Sequence, residues 1–408
     1  MAAKFFVSLS VLLVLAISSA TCSSTSALPS RVSTTTTSPS PRMPLRPCSS
    51  NDLPLLVHVQ QPTGVAWRAT AATGTPAWAE AALQQHAAVA GRADAVVAQD
   101  GSGNFTSIGA AIAAAPRRST SRYTVHVRKG VYREIVRIPQ DAWSVSLVGD
   151  GAGVTVITGN RAVDDGYAMP AGDGHRGRYT CVDGPGFLAQ DLTIQNNAGS
   201  SKHQALALRS RSSKSVVHHC SLEGYQDTLY AQEEFQYYGD CTISGTIDFV
   251  FGNAKAVFQR CQLVARLPHQ GQKNVVTAQG RSNADENTGF VFQFCNFSGD
   301  TRLREKAVET YLGRPWKTYS RIIIMESFMD DSIHPLGYLP WNNSNLGLDK
   351  LYYGEYNNSG PGSVVAGRVK WPGFHVLNGS EAANFTVSSF INGLDWLPGT
   401  GVEFTPGL

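Results

Sequence analysis

Short runs of β-forming residues alternate with polar turns between residues 201 and 260. The clearest runs are Ala205–Leu208, Thr228–Tyr230, Ile247–Phe251 and Ala256–Phe258. Strands this short, recurring about every 22 residues, are typical of a solenoid in which each coil stacks on the one before. The pattern therefore predicts an all-β fold, a single-stranded parallel β-helix.

Polar residues recur within the same stretch. Gln204, Gln226 and Asp248 follow one another at equal intervals of one such period, and Asp227 directly follows Gln226. Residues one period apart in such a stack lie roughly 4.8 Å apart on neighbouring strands. Two amides and two carboxylates are thus expected to meet on one patch of the surface.

The pattern beyond this stretch predicts further coils and two short capping helices. Strands or coils are expected at Ala95–Gln99, Thr124–Val127, Ser144–Val148 and Gly186–Ile194, and helices at Ser107–Ala115 and from Glu381 to Val387. The glycine-rich stretch at 149–159 resembles a nucleotide-binding loop, but β-branched residues follow it instead of a helix. It is therefore interpreted as a solenoid turn.

The first 92 residues have a different composition. Met1–Ala20 contains Lys4, an apolar run and small residues, a pattern that predicts a secretory signal peptide. Residues 21–92 are rich in Ser, Thr, Pro and Ala and are interpreted as a low-complexity pro-region or linker, in which Trp78–Val89 could form a short helix. Residues 93–408 form the expected main domain. No later segment is apolar for long enough to predict a membrane span.

The net charge of +3 belongs to the whole chain and does not indicate which partners the expected domain would bind. Residues 1–92 carry six Lys and Arg against two Asp and Glu, so residues 93–408 carry 28 against 29, a net charge of −1. No basic stripe with interleaved aromatic residues occurs, so nucleic-acid binding is not expected.

The chain contains seven cysteines, five of them in the expected domain. Cys220, Cys241 and Cys261 follow one another at nearly the same interval as the polar residues. The spacing favours an inward-facing ladder of small apolar side chains. Secretion would also permit disulfides.

Four segments carry a family resemblance: HQALALR, GYQDTLY, GTIDFVFGNA and, further on, YLGRPWK. Together, in this order, they resemble the signature segments of plant pectin methylesterases, and the resemblance covers about Ala93 to Leu408. It implies a right-handed parallel β-helix that removes methyl esters from galacturonan. It also makes a Cys261–Cys295 bridge plausible.

The resemblance implies a role for each carboxylate. Asp248 would be the nucleophile that attacks the ester carbonyl and forms an acyl intermediate. Asp227 would protonate the departing methanol and then, as a carboxylate, activate the water that releases the acid. Repulsion between carboxylates on adjacent coils should raise one pKa, so that one group holds a proton while the other is charged.

The remaining candidate residues would bind and orient. By resemblance, Gln226 and Gln204 would donate amide N–H groups to the oxyanion. Arg314 would orient the nucleophile, Trp316 would stack on a sugar ring, and Tyr225 would line the groove or simply pack. Each has a structural alternative: a glutamine can belong to a stacked turn ladder, and an arginine to a surface ion pair.

Two other functions stay open. A glycoside hydrolase on the same solenoid would also use paired carboxylates, which about 5 Å apart suit a retaining mechanism. A carbohydrate-binding or inhibitor-titrating protein without turnover is the third alternative. The glutamine pair and the Arg-Pro-Trp segment favour ester chemistry. The segment Asp164–Arg178 departs from the family, which puts part of the substrate contact in question.

No cofactor and no metal are expected. His218 and His219 invite a metal site, but adjacent strand residues face opposite sides, and no carboxylate or Cys completes a ligand set in the sequence. The expected partners are methyl-esterified homogalacturonan and a pectin methylesterase inhibitor protein, with the chain acting as a monomer in the cell wall. Six sequons predict N-glycosylation, at Asn104, Asn296, Asn342, Asn357, Asn378 and Asn384.

Overall fold

Three parallel sheets run side by side along the described chain and wind into a right-handed parallel β-helix. The computed structural model describes residues 93–167, 179–345 and 347–408. All of them belong to one unit, Thr73–Leu408. The predicted signal peptide, the pro-region with Trp78–Val89 and most of the divergent segment 164–178 lie outside the described residues. The predicted fold class is confirmed.

Each full coil contributes one strand to each sheet. Sheet A contains β1 (Ala95–Val97), β2 (Tyr123–Val127), β5 (Val145–Gly149), β8 (Leu188–Gln190), β11 (Ser215–His218), β14 (Phe235–Gly239), β17 (Lys255–Gln259), β20 (Gly289–Gln293), β23 (Arg321–Met325), β25 (Tyr352–Tyr356) and β26 (Phe374–Val376). Sheet B contains β3 (Gly130–Tyr132), β6 (Thr155–Gly159), β9 (Thr193–Asn196), β12 (Ser221–Glu223), β15 (Thr242–Gly245), β18 (Gln262–Ala265), β21 (Asn296–Gly299) and β24 (Phe328–Met329). Sheet C contains β4 (Arg137–Ile138), β7 (Thr180–Val182), β10 (Leu208–Ser210), β13 (Leu229–Ala231), β16 (Ile247–Gly252), β19 (Asn274–Gln279) and β22 (Thr310–Gly313).

Short helices flank the coils. The α-helices are α1 (Ile108–Ala114), α2 (Thr301–Glu305), α3 (Gly379–Ala382) and α4 (Val387–Phe390), and 3₁₀ turns occupy Val163–Asp165, Trp341–Asn343, Pro361–Ser363, Val365–Gly367, Ala383–Phe385, Gly393–Asp395 and Pro398–Thr400. The predicted first helix is confirmed as α1, which Ser107 caps. Among the described residues, no helix combines the length and apolar character needed to cross a bilayer.

The predicted terminal helix is broken into pieces. Asn378 and Glu381 form a capping box that starts α3. Thr386 then adopts an extended backbone, and its side chain caps a new helix, α4. The expectation of one continuous helix from Glu381 is wrong because Thr386 restarts the helix instead of continuing it.

The corner between sheets A and B repeats one backbone conformation. The residue after each strand of sheet A from β8 to β25 has a positive φ of about 47–56°: Asp191, His219, Asp240, Arg260, Phe294, Glu326 and Asn357. This left-handed conformation bends the chain sharply from one sheet into the next. Because the bend recurs in each of these coils, the corner side chains form a ladder along one edge of the solenoid.

The predicted cysteine ladder follows directly behind this corner. Cys220, Cys241, Cys261 and Cys295 are each at most 2% exposed and lie one residue after a left-handed corner residue. All four are free thiols, so the Cys261–Cys295 bridge that the resemblance made plausible is wrong. The Sγ of Cys295 instead donates to the Phe258 carbonyl at 3.3 Å. The thiols fill the core as small apolar groups.

The pairing of neighbouring strands in sheet C gives a shorter repeat per coil than the spacing of the polar residues predicts. The Ala205 amide donates to the Gln226 carbonyl at 3.1 Å, which sets Gln204 beside Gln226. From Leu208 onward the ladder pairs Leu208 with Leu229 and Leu229 with Val250, one residue fewer per coil than the polar spacing predicts. The predicted strand at Ala205–Leu208 therefore begins only at Leu208, and the chain before it is irregular.

Candidate active site

Two aspartates meet at the start of adjacent strands in sheet C. The Asp227 amide donates to the Ile247 carbonyl at 3.0 Å, a bond that in a parallel ladder pairs Asp227 with Asp248. Asp227 has a φ of 63° and Asp248 a φ of 53°. The left-handed backbone turns the chain at each aspartate, as it does at the corner between sheets A and B. The shorter period thus sets Asp227, and not Gln226, beside Asp248.

Asp248 is held by a guanidinium group. Arg314, directly after β22, donates from Nε to Oδ1 at 2.9 Å and from Nη2 to Oδ2 at 2.7 Å. The same guanidinium lies over the ring of Trp341, 4.4 Å from its centre. Burial raises the pKa of Asp248, whereas the hydrogen bonds and charge of Arg314 oppose that rise. This bidentate contact favours the ionised carboxylate.

Asp227 lies in a different environment. It is 7% exposed, and within the described residues its carboxyl group has no hydrogen-bond partner. Burial raises the pKa of Asp227 well above its ordinary value, the charge of Asp248 adds to the rise, and Arg314 opposes it. Of the two aspartates, Asp227 therefore keeps its proton to higher pH.

The two predicted glutamines lie beside this pair. Gln204 and Gln226 both line the cleft that contains Asp227 and Asp248, and both are partly exposed. Among the described residues, neither side-chain amide has a hydrogen-bond partner. Their N–H groups are therefore available to a ligand in the cleft.

The cleft has a volume of about 320 Å³ and an aromatic wall. The rings of Tyr230 and Phe251 stack with their centres 4.3 Å apart, and the ring of Trp316 meets Phe251 edge to face with the centres 6.0 Å apart. Ala278 and Trp341 complete the lining. A stacked aromatic surface beside free amides suits a sugar ring, which has apolar faces and polar edges.

Sequence reasoning missed part of this wall. Tyr230 and Phe251 lie inside GYQDTLY and GTIDFVFGNA, and their alternation along strands of sheet C could have indicated that they share the cleft's face. Trp341 stands in a 3₁₀ turn outside the four segments, so no spacing in the sequence connects it with Arg314.

The structure places Tyr225 elsewhere. Its ring lies under the guanidinium of Arg266, 4.1 Å from the charged carbon, and its hydroxyl accepts a hydrogen bond from Arg266 at 3.1 Å. Tyr225 is not among the described residues that line the cleft. It packs against a later coil instead, because Arg266 follows β18, two coils after the β12 strand that precedes Tyr225.

A larger cleft of about 730 Å³ lies elsewhere, along Trp143 and Pro185. Its Asp141 lies 3.4 Å from Arg117, and its Asp183 lies 3.0 Å from Arg209. These two aspartates thus belong to separate ion pairs and do not act on each other. The smaller cleft, with two unequal aspartates side by side, is therefore the stronger candidate for catalysis.

The arrangement in the smaller cleft can perform acyl transfer. The carboxylate of Asp248 is oriented by a guanidinium group that favours its ionised form, which can attack a carbonyl carbon, and the neighbouring carboxyl group of Asp227 keeps its proton to higher pH and can protonate a leaving group. Neutral amide donors near both groups suit an oxyanion.

Comparison with known proteins gives a consistent result. The sequence profile of the pectinesterase family, described as "Pectinesterase", matches residues 94–394. The chain is 53% identical over 319 residues to "Probable pectinesterase/pectinesterase inhibitor 32" of Arabidopsis thaliana, covering 78% of this chain and 59% of that protein. It is 49% identical to "Pectinesterase/pectinesterase inhibitor PPE8B" of Prunus persica, covering 76% and 59%. The structure of "Pectin methylesterase from Carrot" is similar with a TM-score of 0.74 and 44% identity, covering 78% of this chain and 98% of that one. The chain thus spans 59% of the length of these two curated relatives, but almost the whole of the carrot structure.

Proposed function

Because the chain belongs to the pectinesterase family, we propose that it is a carboxylic ester hydrolase that removes methyl esters from galacturonan, giving pectate and methanol. The observation that carries this proposal is the unequal pair of aspartates. Asp248 is fixed by two hydrogen bonds from Arg314, whereas the carboxyl group of Asp227 is buried and unpartnered among the described residues. Ester hydrolysis needs one ionised and one protonated group of this kind.

In the first step, an oxygen of Asp248 attacks the carbonyl carbon of the methyl ester. Negative charge develops on the carbonyl oxygen, and the amide N–H groups of Gln226 and Gln204 stabilise it. The C–O bond to the methoxy group then breaks, and Asp227 gives its proton to the leaving methanol. The product is an anhydride between Asp248 and the galacturonate carboxyl.

In the second step, water hydrolyses this anhydride. Asp227, now a carboxylate, takes a proton from the water as its oxygen attacks the galacturonate carbonyl. The same amides stabilise the second oxyanion. Asp248 leaves as a carboxylate, which Arg314 stabilises, and Asp227 is protonated again.

The wall of the cleft supports a sugar as the substrate. Trp316, Tyr230 and Phe251 present apolar surface next to the reacting groups. The oxyanion donors are neutral amides. They therefore form no ion pair at the reacting centre with the free carboxylates of neighbouring galacturonates. Trp316 stacking on a galacturonate ring would hold the ester carbonyl over Asp248.

We also propose that the protein works outside the cell as a glycoprotein of the cell wall. The apolar Met1–Ala20 segment supports export. Five of the six sequon asparagines are exposed: Asn104, Asn342, Asn357, Asn378 and Asn384. We also propose that the protein acts as a monomer. An inhibitor protein is our proposed partner, supported by the names of the two curated relatives.

Purified protein incubated with highly methyl-esterified galacturonan tests the proposed reaction. Methanol should be released in equal amount to new carboxylates, while the length of the polymer stays constant. New reducing ends without methanol would instead support the glycosidase alternative. Binding of pectin without either product would support the non-catalytic alternative.

Asp248→Asn is the matched variant for this experiment. A neutral amide of the same shape cannot attack the ester, so methanol release should fall by about 10⁴-fold or more while pectin still binds. Asp141→Asn, which changes an exposed carboxylate in the other cleft, should retain activity.

A further inference from the structure

His218 and His219 present their rings to each other at the corner between sheets A and B. The ring centres are 3.9 Å apart, and the rings are inclined by 28°. Adjacent residues of a regular strand would face opposite sides, which is why the sequence argued against a shared site. His219 has a φ of 50°, so the chain has already left β11 and turned. The left-handed corner brings the two imidazoles together.

A carboxylate from the next coil completes the cluster. Asp240 Oδ2 lies 3.3 Å from Nε2 of His218. One ligand atom each from His218, His219 and Asp240 lie within 4.8 Å of one another. The sequence reasoning found no such carboxylate because Asp240 lies a whole coil further along the chain and becomes a neighbour only when the coils stack.

His218 lacks the contacts that a structural histidine would have. Its side chain is 7% exposed, and within the described residues neither Nδ1 nor Nε2 has a hydrogen-bond partner. Asp240 is close to Nε2 but not aligned for a hydrogen bond. A buried imidazole with both nitrogens unpaired is costly, so a ligand that supplied the missing contact would stabilise this ring.

The groups behind the cluster are those that commonly support metal ligands. Asp191 Oδ1 lies 3.6 Å from Nδ1 of His219, and Gln190 donates to Asp191 at 2.8 Å. Arg260 holds Asp240 with hydrogen bonds of 2.8 and 2.9 Å. Metal-binding histidines usually donate their second N–H to a carboxylate, and metal-binding carboxylates are themselves hydrogen-bonded.

We propose that His218, His219 and Asp240 bind a divalent transition-metal ion of the zinc type. Two imidazole nitrogens and one carboxylate oxygen form a common ligand set for Zn²⁺, and water would occupy the fourth position. His219 is half exposed, with 50% of its side chain accessible, so the ion can reach the site from solvent. Hard cations such as Mg²⁺ prefer oxygen ligands and would bind poorly.

The ion would join neighbouring coils. The two histidines lie at the end of β11, and Asp240 follows β14, so coordination adds a cross-link between coils that the backbone hydrogen bonds already connect. The aspartates of the cleft belong to sheet C, whereas this cluster lies at the corner between sheets A and B. The ion should therefore stabilise the fold without taking part in ester hydrolysis, and the inference is independent of the proposed function.

Titration of the EDTA-treated, dialysed full chain with Zn²⁺ by calorimetry tests this site. We expect one Zn²⁺ per chain at this site, and a melting temperature that rises with Zn²⁺ concentration because the ion binds the folded state. Equal concentrations of Mg²⁺ should produce neither effect. Methanol release should be the same with and without Zn²⁺.

Three variants connect the binding to these residues. His219→Ala, at an accessible position, should abolish the site, and Asp191→Asn should weaken it by about 10–100-fold as loss of a supporting partner does. The control His269→Ala, an exposed histidine elsewhere, should bind Zn²⁺ like the unmodified chain. The proposal is overturned if the full chain shows no Zn²⁺ binding, or if His219→Ala binds Zn²⁺ and gains stability as the parent does.

Discussion

Asp227 and Asp248 share a register position on adjacent strands, but only Asp248 is hydrogen-bonded to a cation among the described residues. Both residues are buried, and both have a left-handed backbone. The two residues differ in their contact with Arg314, whose guanidinium group hydrogen-bonds to the carboxylate of Asp248 and not to that of Asp227. A repeating fold thus places two identical side chains side by side, and burial, the charge of Asp248 and the hydrogen bonds from Arg314 together make Asp227 keep its proton to higher pH than Asp248.

The first prediction concerns stability, because the raised pKa of Asp227 has a thermodynamic consequence. A carboxyl group whose pKa is higher in the folded state stabilises the protein below the unfolded pKa, about 3.9. That contribution is lost as the pH rises through the folded pKa. Asp227→Asn removes the ionisable group at similar size. The variant should match the parent in melting temperature near pH 4 and exceed it by a few °C near pH 8.

Thermal melts of parent and variant across this pH range measure the effect. Asp141→Asn is the control, since its carboxylate is exposed and ion-paired, and its melting temperature should follow the parent at every pH. A variant that is less stable than the parent at pH 8 would show that Asp227 is not held protonated by burial.

The second prediction concerns Arg314. The guanidinium opposes the rise that burial causes in the pKa of Asp248. Arg314→Lys keeps a charge but loses the two-pronged hydrogen bond, so the pKa of Asp248 should rise further. The acid limb of kcat/KM against pH should move to higher pH, and activity below that limb should fall tenfold for each unit of the shift.

Methanol release measured over a range of pH gives both limbs. Arg302→Lys, at a side chain that is 63% exposed, should leave the profile unchanged. Equal loss of activity at every pH, with the acid limb fixed, would mean that Arg314 only maintains the shape of the cleft.

The third prediction assigns the oxyanion donors. Gln226→Ala removes an amide that has no partner among the described residues and that lines the cleft of the carboxylate pair. Loss of one such donor costs about 10²–10³-fold in kcat. KM should change little, because the charge develops only in the transition state.

Steady-state kinetics on methyl-esterified galacturonan separate the two parameters. Gln140→Ala changes an exposed glutamine outside the cleft and should behave as the parent. A raised KM at constant kcat would instead make Gln226 a ground-state contact to the sugar.

The fourth prediction follows from the free thiols. Burial raises the pKa of Cys220 to about 12, and Cys220, Cys261 and Cys295 are each at most 2% exposed, so a reagent in solution does not reach their sulfur atoms. The native chain should therefore resist alkylation at all three positions. Denaturation without reductant should make them react, as peptide mass spectrometry would record. A peptide pair linking Cys261 to Cys295, released only by reductant, would contradict the ladder.

Much of this fold is predictable from its pattern, but the register is not. Repeating short strands and turns indicate coils, and the alternation of Gln204, Gln226, Asp227 and Asp248 with apolar residues indicates one shared face. Successive coils could repeat at the interval of the polar residues or at one residue fewer. Which interval applies depends on the irregular chain before Leu208, and the composition of that segment does not reveal its conformation. A shift of one residue decides which side chain lies beside Asp248.

Some conformations were also invisible in the sequence pattern. The left-handed corner at His219 reverses the expected separation of two histidines, and Thr386 divides a helix that propensity alone would continue. Trp341 reaches Arg314 from a loop with no spacing relation to it. The position of Trp341 depends on packing against residues distant in sequence, which a local pattern does not describe, whereas the corner at His219 and the cap at Thr386 are local features that the periodicity alone did not single out.

The fifth prediction concerns Gly280, where a substitution should displace the side chain of Trp316 while leaving Trp316 itself unmutated. A Cβ on Gly280 would lie 2.7 Å from the Trp316 ring, too close for the indole to stay in place. Gly280→Ala should therefore shift Trp316 and weaken sugar stacking, which we take to be comparable to an aromatic pair at about 0.5–1.5 kcal/mol. KM should rise by roughly 2–10-fold with kcat nearly unchanged, since neither aspartate is altered.

Trp316→Ala should reproduce this change and Trp316→Phe should largely restore binding, because a smaller ring still offers an apolar face. Gly399→Ala is the control, since a Cβ there meets nothing within 4 Å. If Gly280→Ala lowers kcat and leaves KM unchanged, the indole positions the reacting groups and not the sugar. If Gly280→Ala and Trp316→Ala together cost no more in KM than either alone, both act through the one displaced ring.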